Sequence, residues 1–528
     1  MIKWLLIGIV LLGFFLRVIG LSNHPAGFTP DEASFGYDAY SILKTGKDQW
    51  GHMMPLVFKS FGDDKLPVYT YLAVPSVAIF GLNETAVRLP NAIFGTLAII
   101  VVYFLVYELF KDRKLALFSA FLLAISSWHI MLSRGAFEAN LTTFFLPLGI
   151  LFFLKGLKNS KYLVLSVIIF IVNLFTYHTA RILTPLIVGF LIYIYRKELR
   201  DSKRLKLWIL SFALLFVIGL FGYLTGGSRV ASSGIFDINY SDDRYLAQVV
   251  HEPGVVAKLF YNKLVYITKQ FLTSYFSYFS PQFLFTNGPA EGTYGMVPGI
   301  GVLYFSEIIL AIGAIIFIVR EGFKRKEIQL LLFWVLISPI PAALTKGPGY
   351  AANRVAFVIP ALVILLAIGG IFLIKKRVWF YAYIVLLAIN FIYVGEKYLV
   401  GQMVNQASSM VYGTSQVVND LKNTENKQII ISKNISEPQI YFAFYTKMDP
   451  VEYQNYSRNW NLVNGWVDQQ GTYKLGKYTF RNINYDVDQK LAKTVLVGTP
   501  NDFPAELKPN ISINYPNLKP AYYIIQTK

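Results

Sequence analysis

The chain has 528 residues, of which 55% are hydrophobic, 16% are aromatic and only 15% are charged, with a formal net charge of +18 at pH 7. This composition is typical of an integral membrane protein, because long apolar runs recur and the basic residues stand in short clusters between them. The same clustering argues against nucleic acid as a partner. The absence of cysteine excludes disulfides, thiolate catalysis and cysteine-ligated metals.

The apolar runs predict an α-helical polytopic membrane protein with about eleven transmembrane helices. Runs of about 18 or more apolar residues are long enough to cross a bilayer. The predicted spans are residues 3–21, 88–110, 115–133, 140–157, 161–177, 180–195, 207–225, 301–319, 328–344, 355–374 and 378–395. The first span carries Arg17 and lacks a small-residue cleavage motif, so we interpret it as a retained anchor.

The short basic loops predict the orientation of these spans. Every second loop is basic, namely 111–114, 155–161, 196–206, 320–327 and 375–377. Basic short loops remain in the cytoplasm. The N-terminus is therefore expected in the cytoplasm, and an odd number of spans places the C-terminus outside the plasma membrane.

Two of the predicted outer loops are long, covering residues 22–87 and 226–300. Each contains a segment that mixes aromatic and charged residues at helical spacing, at 67–82 and 255–279. Such segments tend to lie along the membrane surface, so both are predicted as interfacial helices. The second segment has an alternative interpretation as a further spanning pair, although its lysines are spread through the run.

The tail differs in composition from the rest of the chain, and we divide the protein into a transmembrane domain (1–395) and an outer soluble domain (396–528). The tail is polar and rich in Asn and Tyr, with short β-branched runs. Predicted strands cover 427–432, 493–499 and 522–527, and a predicted helix covers 437–446. Strands that alternate with a helix indicate a small α/β domain.

An acidic pair, Asp31-Glu32, follows the first span in the first outer loop. A carboxylate suits a general base that removes a proton from an attacking hydroxyl, and two together can divide the work between base and acceptor contact. The alternatives are a solvated loop, or a cap for a helix that begins near Ala33.

The segment 61–72 of the same loop contains Lys65, followed by Pro67 and an aromatic run. A lysine at headgroup depth can bind a phosphate, or it can simply extend its ammonium towards water. Asp64 is predicted to contact substrate. The pair Asp63-Asp64 is also a weak signal for a divalent ion, but we predict that no metal is required.

Further polar residues gather at the predicted outer ends of the spans. They are Arg134 and Glu138 in 133–140, His178 and Arg181 in 177–181, and Arg354 at the end of 345–354. The four cationic or imidazole side chains are predicted to bind phosphate, and Glu138 is predicted to contact substrate. Since no nucleotide-binding signature occurs, a donor available outside the cell is best provided by a lipid-linked phosphosugar.

Several of these motifs together resemble the C-type glycosyltransferases, specifically the protein O-mannosyltransferase and aminoarabinose-transferase group (glycosyltransferase family 39). They are PDEASFGYDAY, GDDKLPVYTYL, ETAVRLPNAIFGTL, SRGAFEAN and AANRVAFVIP. The resemblance implies a polyprenyl-phosphate-sugar donor and inversion at the anomeric carbon. It also implies that Asp31 is the base with Glu32 as its partner, that Lys65 binds the donor phosphate, and that Arg354 is a second phosphate contact. The inserted domain of the eukaryotic protein mannosyltransferases is absent, and the tail looks like the soluble domain of bacterial members.

The sequence therefore predicts a membrane hexosyl- or pentosyltransferase. It would move a sugar from a polyprenyl-phosphate donor to a hydroxyl of a lipid, glycan or protein at the outer face, without a cofactor. One alternative is a ligase that transfers a whole glycan from a lipid diphosphate. Another is a sugar or lipid transporter or flippase, although transporters place ionisable residues near the bilayer midplane, whereas here they gather at one face.

Overall fold

The computed structural model describes residues 2–199 except Asp63, scattered residues between 206 and 260, and residues 262–527 except 347–348, 423, 425–427, 461 and 463–470. Helices dominate up to Asn405, and a mixed β-sheet follows in the last hundred residues.

The helical part also contains one small β-ribbon. In chain order its elements are α1 (Ile2–Val18), α2 (Pro30–Thr45), β1 (Phe58–Lys59), β2 (Asp64–Lys65), α3 (Pro67–Phe80), α4 (Glu84–Phe110), α5 (Arg113–Ile125), α6 (Ser127–Ser133), α7 (Thr142–Gly156), α8 (Lys161–Leu174), α9 (Ala180–Ile194), α10 (Val255–Phe260), α11 (Lys263–Ser277), α12 (Glu307–Phe317), α13 (Lys326–Ile337), α14 (Ile340–Ala343), α15 (Ile359–Leu373), α16 (Arg377–Glu396) and α17 (Gln402–Asn405).

Five continuous helical stretches among the described residues are long and apolar enough to cross a membrane, or six if the bent pair α5–α6 forms one span. The five are Glu84–Phe110, Glu138–Gly156, Lys326–Ala343, Ala356–Leu373 and Arg377–Asn405. The prediction of a multi-pass membrane protein is therefore confirmed. The count of eleven stays a prediction, and most of the predicted span 207–225 lies outside the described residues.

Two predicted segments differ in detail from the structure. The last span does not end at residue 395, because a π-helical turn at Lys397–Gly401 carries the helix on to Asn405. The first predicted interfacial segment is the apolar helix α3, and the second contains α10 and α11. In α11 no side chain is buried, so this helix leaves all its faces at least partly open.

Arg17 joins α1 to the bend between α5 and α6. Its guanidinium donates to the carbonyls of Leu123 (3.1 Å) and Ala124 (3.0 Å) and lies 2.8 Å from Nδ1 of His129. The bend of 57° falls after Ile125, so the last carbonyls of α5 have no partner within the helix. A buried arginine in an apolar span is tolerated here because it supplies the missing donors.

Two of the basic loops, 111–114 and 155–161, meet at one end of α4. Lys158, between α7 and α8, lies 3.1 Å from Glu108 in the last turn of α4. The first turn of α4 contacts the loop after α1 instead, through Arg88 and the carbonyl of Leu21. At 27 residues α4 is about 40 Å long, so these two basic loops and the first long loop lie at opposite ends of it.

The C-terminal part contains a six-stranded mixed sheet flanked by short helices. Its elements are α18 (Thr414–Lys422), β3 (Gln428–Ile431), α19 (Pro438–Tyr445), α20 (Pro450–Ser457), β4 (Tyr473–Leu475), β5 (Tyr478–Phe480), α21 (Tyr485–Asp488), β6 (Thr494–Gly498), β7 (Ile511–Asn514) and β8 (Pro520–Gln526). The strand order is β4-β5-β3-β6-β8-β7, and β3 runs parallel to β5 and β6. The predicted strands at β3, β6 and β8 and the helix at α19 are confirmed, whereas β4, β5 and β7 were not predicted.

The C-terminal part packs directly on α2. Tyr441 donates its hydroxyl to the carbonyl of Phe28 at 2.8 Å, just before α2, and Tyr37 in α2 donates to the carbonyl of Met448 at 3.1 Å. The close packing of α19 on α2 requires a glycine at position 36, because a Cβ there would lie 2.6 Å from the ring of Phe444. The first outer loop and the tail therefore lie on the same side of the helical part, as the loop pattern predicted for these two segments.

Candidate active site

The acidic pair lies in the first turn of α2, which begins at Pro30. Thr29 is the N-cap residue: its hydroxyl accepts from the backbone N–H of Glu32 at 3.3 Å, and its own N–H donates to Oε2 of Glu32 at 3.1 Å. This reciprocal arrangement is a capping box, and the sequence Thr-Pro-Asp-Glu has the spacing that forms one. The helix therefore begins three residues before Ala33, and one carboxylate of the pair serves the cap.

Glu32 also forms an ion pair with Arg88, and neither side chain is exposed. Arg88 Nε donates to Oε1 at 2.8 Å and Nη2 donates to Oε2 at 3.1 Å, so the contact is bidentate. The backbone N–H of Ala136 donates to Oε1 at 3.0 Å. Both carboxylate oxygens of Glu32 thus accept from protein donors, and Glu32 holds the N-terminus of α2 in place.

Arg88 uses its remaining donors on the loop between α1 and α2. The acceptors are the carbonyls of Leu21 (3.0 Å), Ser22 (3.3 Å), Pro25 (3.1 Å) and Gly27 (2.5 Å). A single guanidinium thus joins α4, this loop and the first turn of α2. The fork of donors on arginine suits such a role, whereas a lysine has only one charged atom.

Asp31 is oriented differently from its neighbour, and its side chain is 49% exposed. Its Oδ1 lies 2.9 Å from Nζ of Lys65, whose side chain is only 3% exposed. The ammonium also faces the rings of Phe35 and Phe61, at 4.6 and 5.5 Å from the centroids. The structure therefore brings together the two residues that the sequence singled out, as an open carboxylate beside a largely buried cation.

Lys65 is placed by the ribbon of β1 and β2, in which it pairs with Phe58 while Asp64 pairs with Lys59. His178 fixes this ribbon, because its Nε2 donates to the carbonyl of Asp64 at 2.9 Å. Burial, with a smaller contribution from the nearby Arg181, lowers the pKa of His178 to about 4. His178 is therefore neutral at physiological pH and acts as a hydrogen-bond donor to the backbone, whereas the sequence suggested a phosphate contact.

Three other predicted residues lie around this pair. Glu138 interacts electrostatically with both Asp31 and Lys65, so it belongs to the same site. Arg181 interacts with Asp64 across the ribbon. These interactions place Glu138 near Asp31 and Lys65, and Arg181 near Asp64 and His178.

The remaining two predicted cations have partners elsewhere. Arg134 is buried and donates to the carbonyls of Leu16 (2.8 Å) and Ile19 (2.7 Å), and thereby caps the C-terminal end of α1. Arg354 donates to the hydroxyl of Thr345 at 2.5 Å and interacts electrostatically with Tyr177. Tyr177, which interacts with Arg354, is the neighbour of His178 in the chain, so Arg354 lies near the site. The contacts of Arg134 stabilise the end of α1.

Among the described residues, no group of three or more metal-binding side chains comes together. Asp63, half of the Asp63-Asp64 pair, lies outside the described residues. The chemistry that the described site supports is proton removal by Asp31 and charge stabilisation by Lys65.

Arg88 was missed in the sequence as a site residue. Its signal was present in the sequence, because an arginine near the start of an apolar span requires a buried partner. The predicted first outer loop supplies two adjacent carboxylates, one more than a single general base needs. The sequence does not show which of Asp31 and Glu32 forms the ion pair with Arg88.

Comparison with known proteins gives one family and a shared fold. Residues 64–221, under a third of the chain, match the family model of dolichyl-phosphate-mannose-protein mannosyltransferase. Among curated proteins, a search with this chain finds no match.

Solved structures resemble the chain at low sequence identity. ArnT from Cupriavidus metallidurans, bound to undecaprenyl phosphate, is 12% identical with a TM-score of 0.52, over 98% of this chain and 97% of that one. The apo state of the same protein gives 12% and 0.50 over the same shares. The archaeal oligosaccharyltransferase AglB from Archaeoglobus fulgidus, in complex with an inhibitory peptide and a dolichol-phosphate, is 14% identical with a TM-score of 0.47, over 84% of this chain. This chain spans only 63% of the length of AglB.

The match to ArnT concerns the fold, since so low an identity says nothing about substrate, and it extends over both the helical part and the C-terminal sheet. The family model covers α3 to α9 and includes Lys65 and Arg88. The chain thus resembles the C-type membrane glycosyltransferases of family 39, as its motifs predicted.

Proposed function

We propose that this protein is a membrane glycosyltransferase that moves a sugar from a polyprenyl-phosphate donor to a hydroxyl acceptor at the outer membrane face, with inversion at the anomeric carbon. The observation that carries the proposal is the pairing of Asp31 with Lys65 at 2.9 Å. One side chain suits a hydroxyl nucleophile and the other suits a phosphate leaving group, and the reaction needs both beside one anomeric carbon.

In the proposed reaction the carboxylate of Asp31 accepts the proton of the acceptor hydroxyl. The hydroxyl oxygen forms a bond to C1 of the sugar as the bond from C1 to the phosphate oxygen breaks, and the electron pair leaves with the polyprenyl phosphate. The half-exposed side chain of Asp31 is open to an acceptor, and general base catalysis contributes about 10²–10⁴-fold in rate.

Lys65 stabilises the charge that develops on the leaving phosphate. The ammonium is held by its ribbon and by two aromatic rings, so it does not have to reorganise during the reaction. An ammonium has three donors, and Lys65 can therefore keep its contact to Asp31 while it binds a phosphate oxygen. Arg354 and Arg181 are proposed to add to the positive potential, and Glu138 and Asp64 to contact the sugar or the acceptor.

Glu32 is proposed as a positioning residue. It was predicted as the partner of Asp31 in catalysis. Its bidentate contact to Arg88 supports an indirect role, in which Glu32 orients Asp31 without contacting the substrate. Adjacent residues of a helix point about 100° apart, so fixing Glu32 against α4 turns Asp31 towards Lys65. The pair thereby divides its work between orientation and proton transfer.

The orientation in the membrane is part of the same proposal. The first loop and the C-terminal part lie together, while Glu108 and Lys158 draw basic loops together at the far end of α4. The positive-inside rule assigns the basic end to the cytoplasm, and the site then faces outward in the plasma membrane.

The test is to incubate the purified chain with a panel of polyprenyl-phosphate sugars and candidate acceptors, and to analyse products by mass spectrometry. The proposal requires equal amounts of a new glycosidic product and free polyprenyl phosphate, both formed about 10²–10⁴-fold more slowly with Asp31→Asn. Release of polyprenyl diphosphate from a diphosphate donor would instead identify a glycan ligase. Movement of the intact donor across vesicles, with no new bond, would identify a transporter and overturn the proposal.

A further inference from the structure

A cavity with a volume of about 280 Å³ lies between the loop after α2 and the end of α20. We call it the Trp50–Trp460 cavity. Its lining includes Trp50, His52, Lys59, Ser457, Arg458 and Trp460. Neither the sequence motifs nor the proposed reaction uses any of these residues.

The two indole rings are fixed by their own N–H groups. Nε1 of Trp50 donates to the carbonyl of Lys59 at 2.8 Å, and Nε1 of Trp460 donates to the carbonyl of Lys474 at 3.1 Å. The ring centroids are 6.0 Å apart and the planes stand at 84°. Because both N–H groups already have acceptors, the rings offer only their apolar surfaces to a ligand. Rigid aromatic surfaces of this kind give contact area at little cost in conformational entropy.

Two cations stand beside these rings. Nζ of Lys59 lies 4.6 Å from the centroid of Trp50, and the exposed guanidinium of Arg458 lies against Gly51. Within the described part of the chain, neither Lys59 nor Arg458 forms an ion pair. Asp48 lies 3.0 Å from Nδ1 of His52, and the carboxylates of Asp64 and Asp48 both act electrostatically on Lys59. The cavity therefore combines apolar ring surfaces with two positively charged side chains, of which Lys59 is half-buried near two carboxylates and Arg458 is exposed.

The cavity is separated from Asp31 by the β1–β2 ribbon. Residues directly opposite in an antiparallel pair project to the same face, and successive residues alternate between faces. Lys65 and Phe58 therefore share one face of the ribbon, towards Asp31, and Lys59 and Asp64 share the other. A ligand bound beside Lys59 would lie near the proposed catalytic site without occupying it.

We propose that the Trp50–Trp460 cavity binds an anionic sugar, that is, a single sugar unit carrying a phosphate or carboxylate group. Its volume of about 280 Å³ lies just below the range of about 300–1,000 Å³ for drug-sized ligands, which suits a ligand as small as one sugar unit. The C–H faces of the sugar pack on the indoles, and its anionic group contacts Lys59 and Arg458, with arginine able to bind it through two donors. A neutral sugar would make no ionic contact to Lys59 or Arg458, and inorganic phosphate would not pack on the indole rings. The binding does not depend on the proposed transferase activity.

The test measures binding of four soluble probes to the purified full chain by tryptophan fluorescence and calorimetry. The probes are glucose 6-phosphate, glucuronic acid, glucose and inorganic phosphate. We expect at least one of the two acidic sugars to bind roughly tenfold or more tightly than glucose and than inorganic phosphate, since one charge-assisted hydrogen bond is worth that much. Comparison of the two acidic sugars then distinguishes phosphate from carboxylate as the anionic group.

The variants are Arg458→Gln and Lys59→Gln, with Lys490→Gln as a control at an exposed lysine outside the lining. Each of the first two is expected to weaken the acidic sugar about tenfold, to leave glucose unchanged and to keep the thermal unfolding temperature. The proposal is overturned if glucose binds as tightly as both acidic sugars, if inorganic phosphate does so, or if Arg458→Gln and Lys490→Gln behave alike.

Discussion

Glu32 and Arg88, 56 residues apart in the sequence, form a bidentate ion pair in which neither side chain is exposed. The pair joins the first turn of α2 to the first turns of α4. Breaking a buried pair by removing one partner leaves a charge without compensation and typically costs about 3–5 kcal/mol. Glu32 is therefore expected both to stabilise the folded protein and, as proposed, to orient Asp31.

The first prediction is that Glu32→Gln lowers both stability and turnover. The free energy of unfolding should fall by about 3 kcal/mol, because Arg88 stays charged and buried. At a temperature where the variant is still folded, kcat should fall while the KM for the donor changes little, since the phosphate ligand Lys65 is untouched. Thermal unfolding in detergent and steady-state kinetics measure the two effects.

A double-mutant cycle provides the control for this pair. Glu32→Gln combined with Arg88→Met removes both charges, so the loss in the double variant should be smaller than the sum of the single losses. Additive losses would show that the pair does not act as a unit. If Glu32→Gln keeps wild-type kcat while its unfolding temperature drops, Glu32 stabilises the fold without positioning Asp31.

The second prediction concerns Asp31→Asn. Asparagine keeps the shape of the side chain and an oxygen for Lys65 but cannot accept the proton, so turnover should fall about 10²–10⁴-fold. Donor binding should be largely kept. Asp420→Asn, at an exposed aspartate in α18, is the matched control and should keep full activity. Wild-type turnover in Asp31→Asn would contradict the assignment of the base.

The third prediction is that Lys65→Ala impairs both the donor KM and kcat, because charge builds on the phosphate as it leaves. Lys65→Arg should restore only part of the activity, since a planar guanidinium keeps the charge but not the position of an ammonium between Phe35 and Phe61. The measurement is kcat and KM with donor and acceptor varied in turn. Lys44→Ala, at an exposed lysine of α2, is the control. A change in the acceptor KM alone would assign Lys65 to the acceptor side.

The sequence was most informative where a signal is local. Asp31 and Lys65 could be singled out because charged residues beside apolar spans are rare and require a reason. The strands β3, β6 and β8 could be predicted because their β-branched runs stand out in a polar tail. The spacing of the capping box of Thr29 and Glu32 is local too, and it fixes the start of α2 three residues before Ala33, where the alternative interpretation of the acidic pair had the helix begin.

The remaining site residues were not predictable in their roles because those roles depend on distant partners. His178 looked like a cation, yet its partner is a backbone carbonyl 114 residues away, and burial keeps it neutral. Arg134 looked like a phosphate ligand, yet it caps α1, 115 residues earlier. A side chain that can bind an anion can equally bind a carbonyl, and only the tertiary structure decides which it meets.

The fourth prediction tests the orientation by cysteine labelling, which the absence of native cysteines makes unambiguous. Ser436→Cys is exposed in the C-terminal part, and Ser160→Cys is exposed in a basic loop. In intact cells an impermeant thiol reagent should label Cys at 436 and not at 160, while both should react after the membrane is permeabilised. The reverse pattern would place the Asp31–Lys65 site in the cytoplasm and contradict the outward-facing proposal.

The last prediction follows from the neutral state of His178. Its pKa is lowered from 6.5 to about 4 by burial, so between these values the unfolded chain binds a proton that the folded chain does not. Stability should therefore decrease as the pH falls from 6.5 towards 4, by at most about 3 kcal/mol from this residue. His178→Gln can still donate to the carbonyl of Asp64 but does not titrate, so its unfolding temperature should decrease less between pH 7 and pH 5 than that of the wild type. His178→Phe should be less stable at both pH values, because the hydrogen bond is lost. A wild-type pH dependence in His178→Gln would refute this assignment.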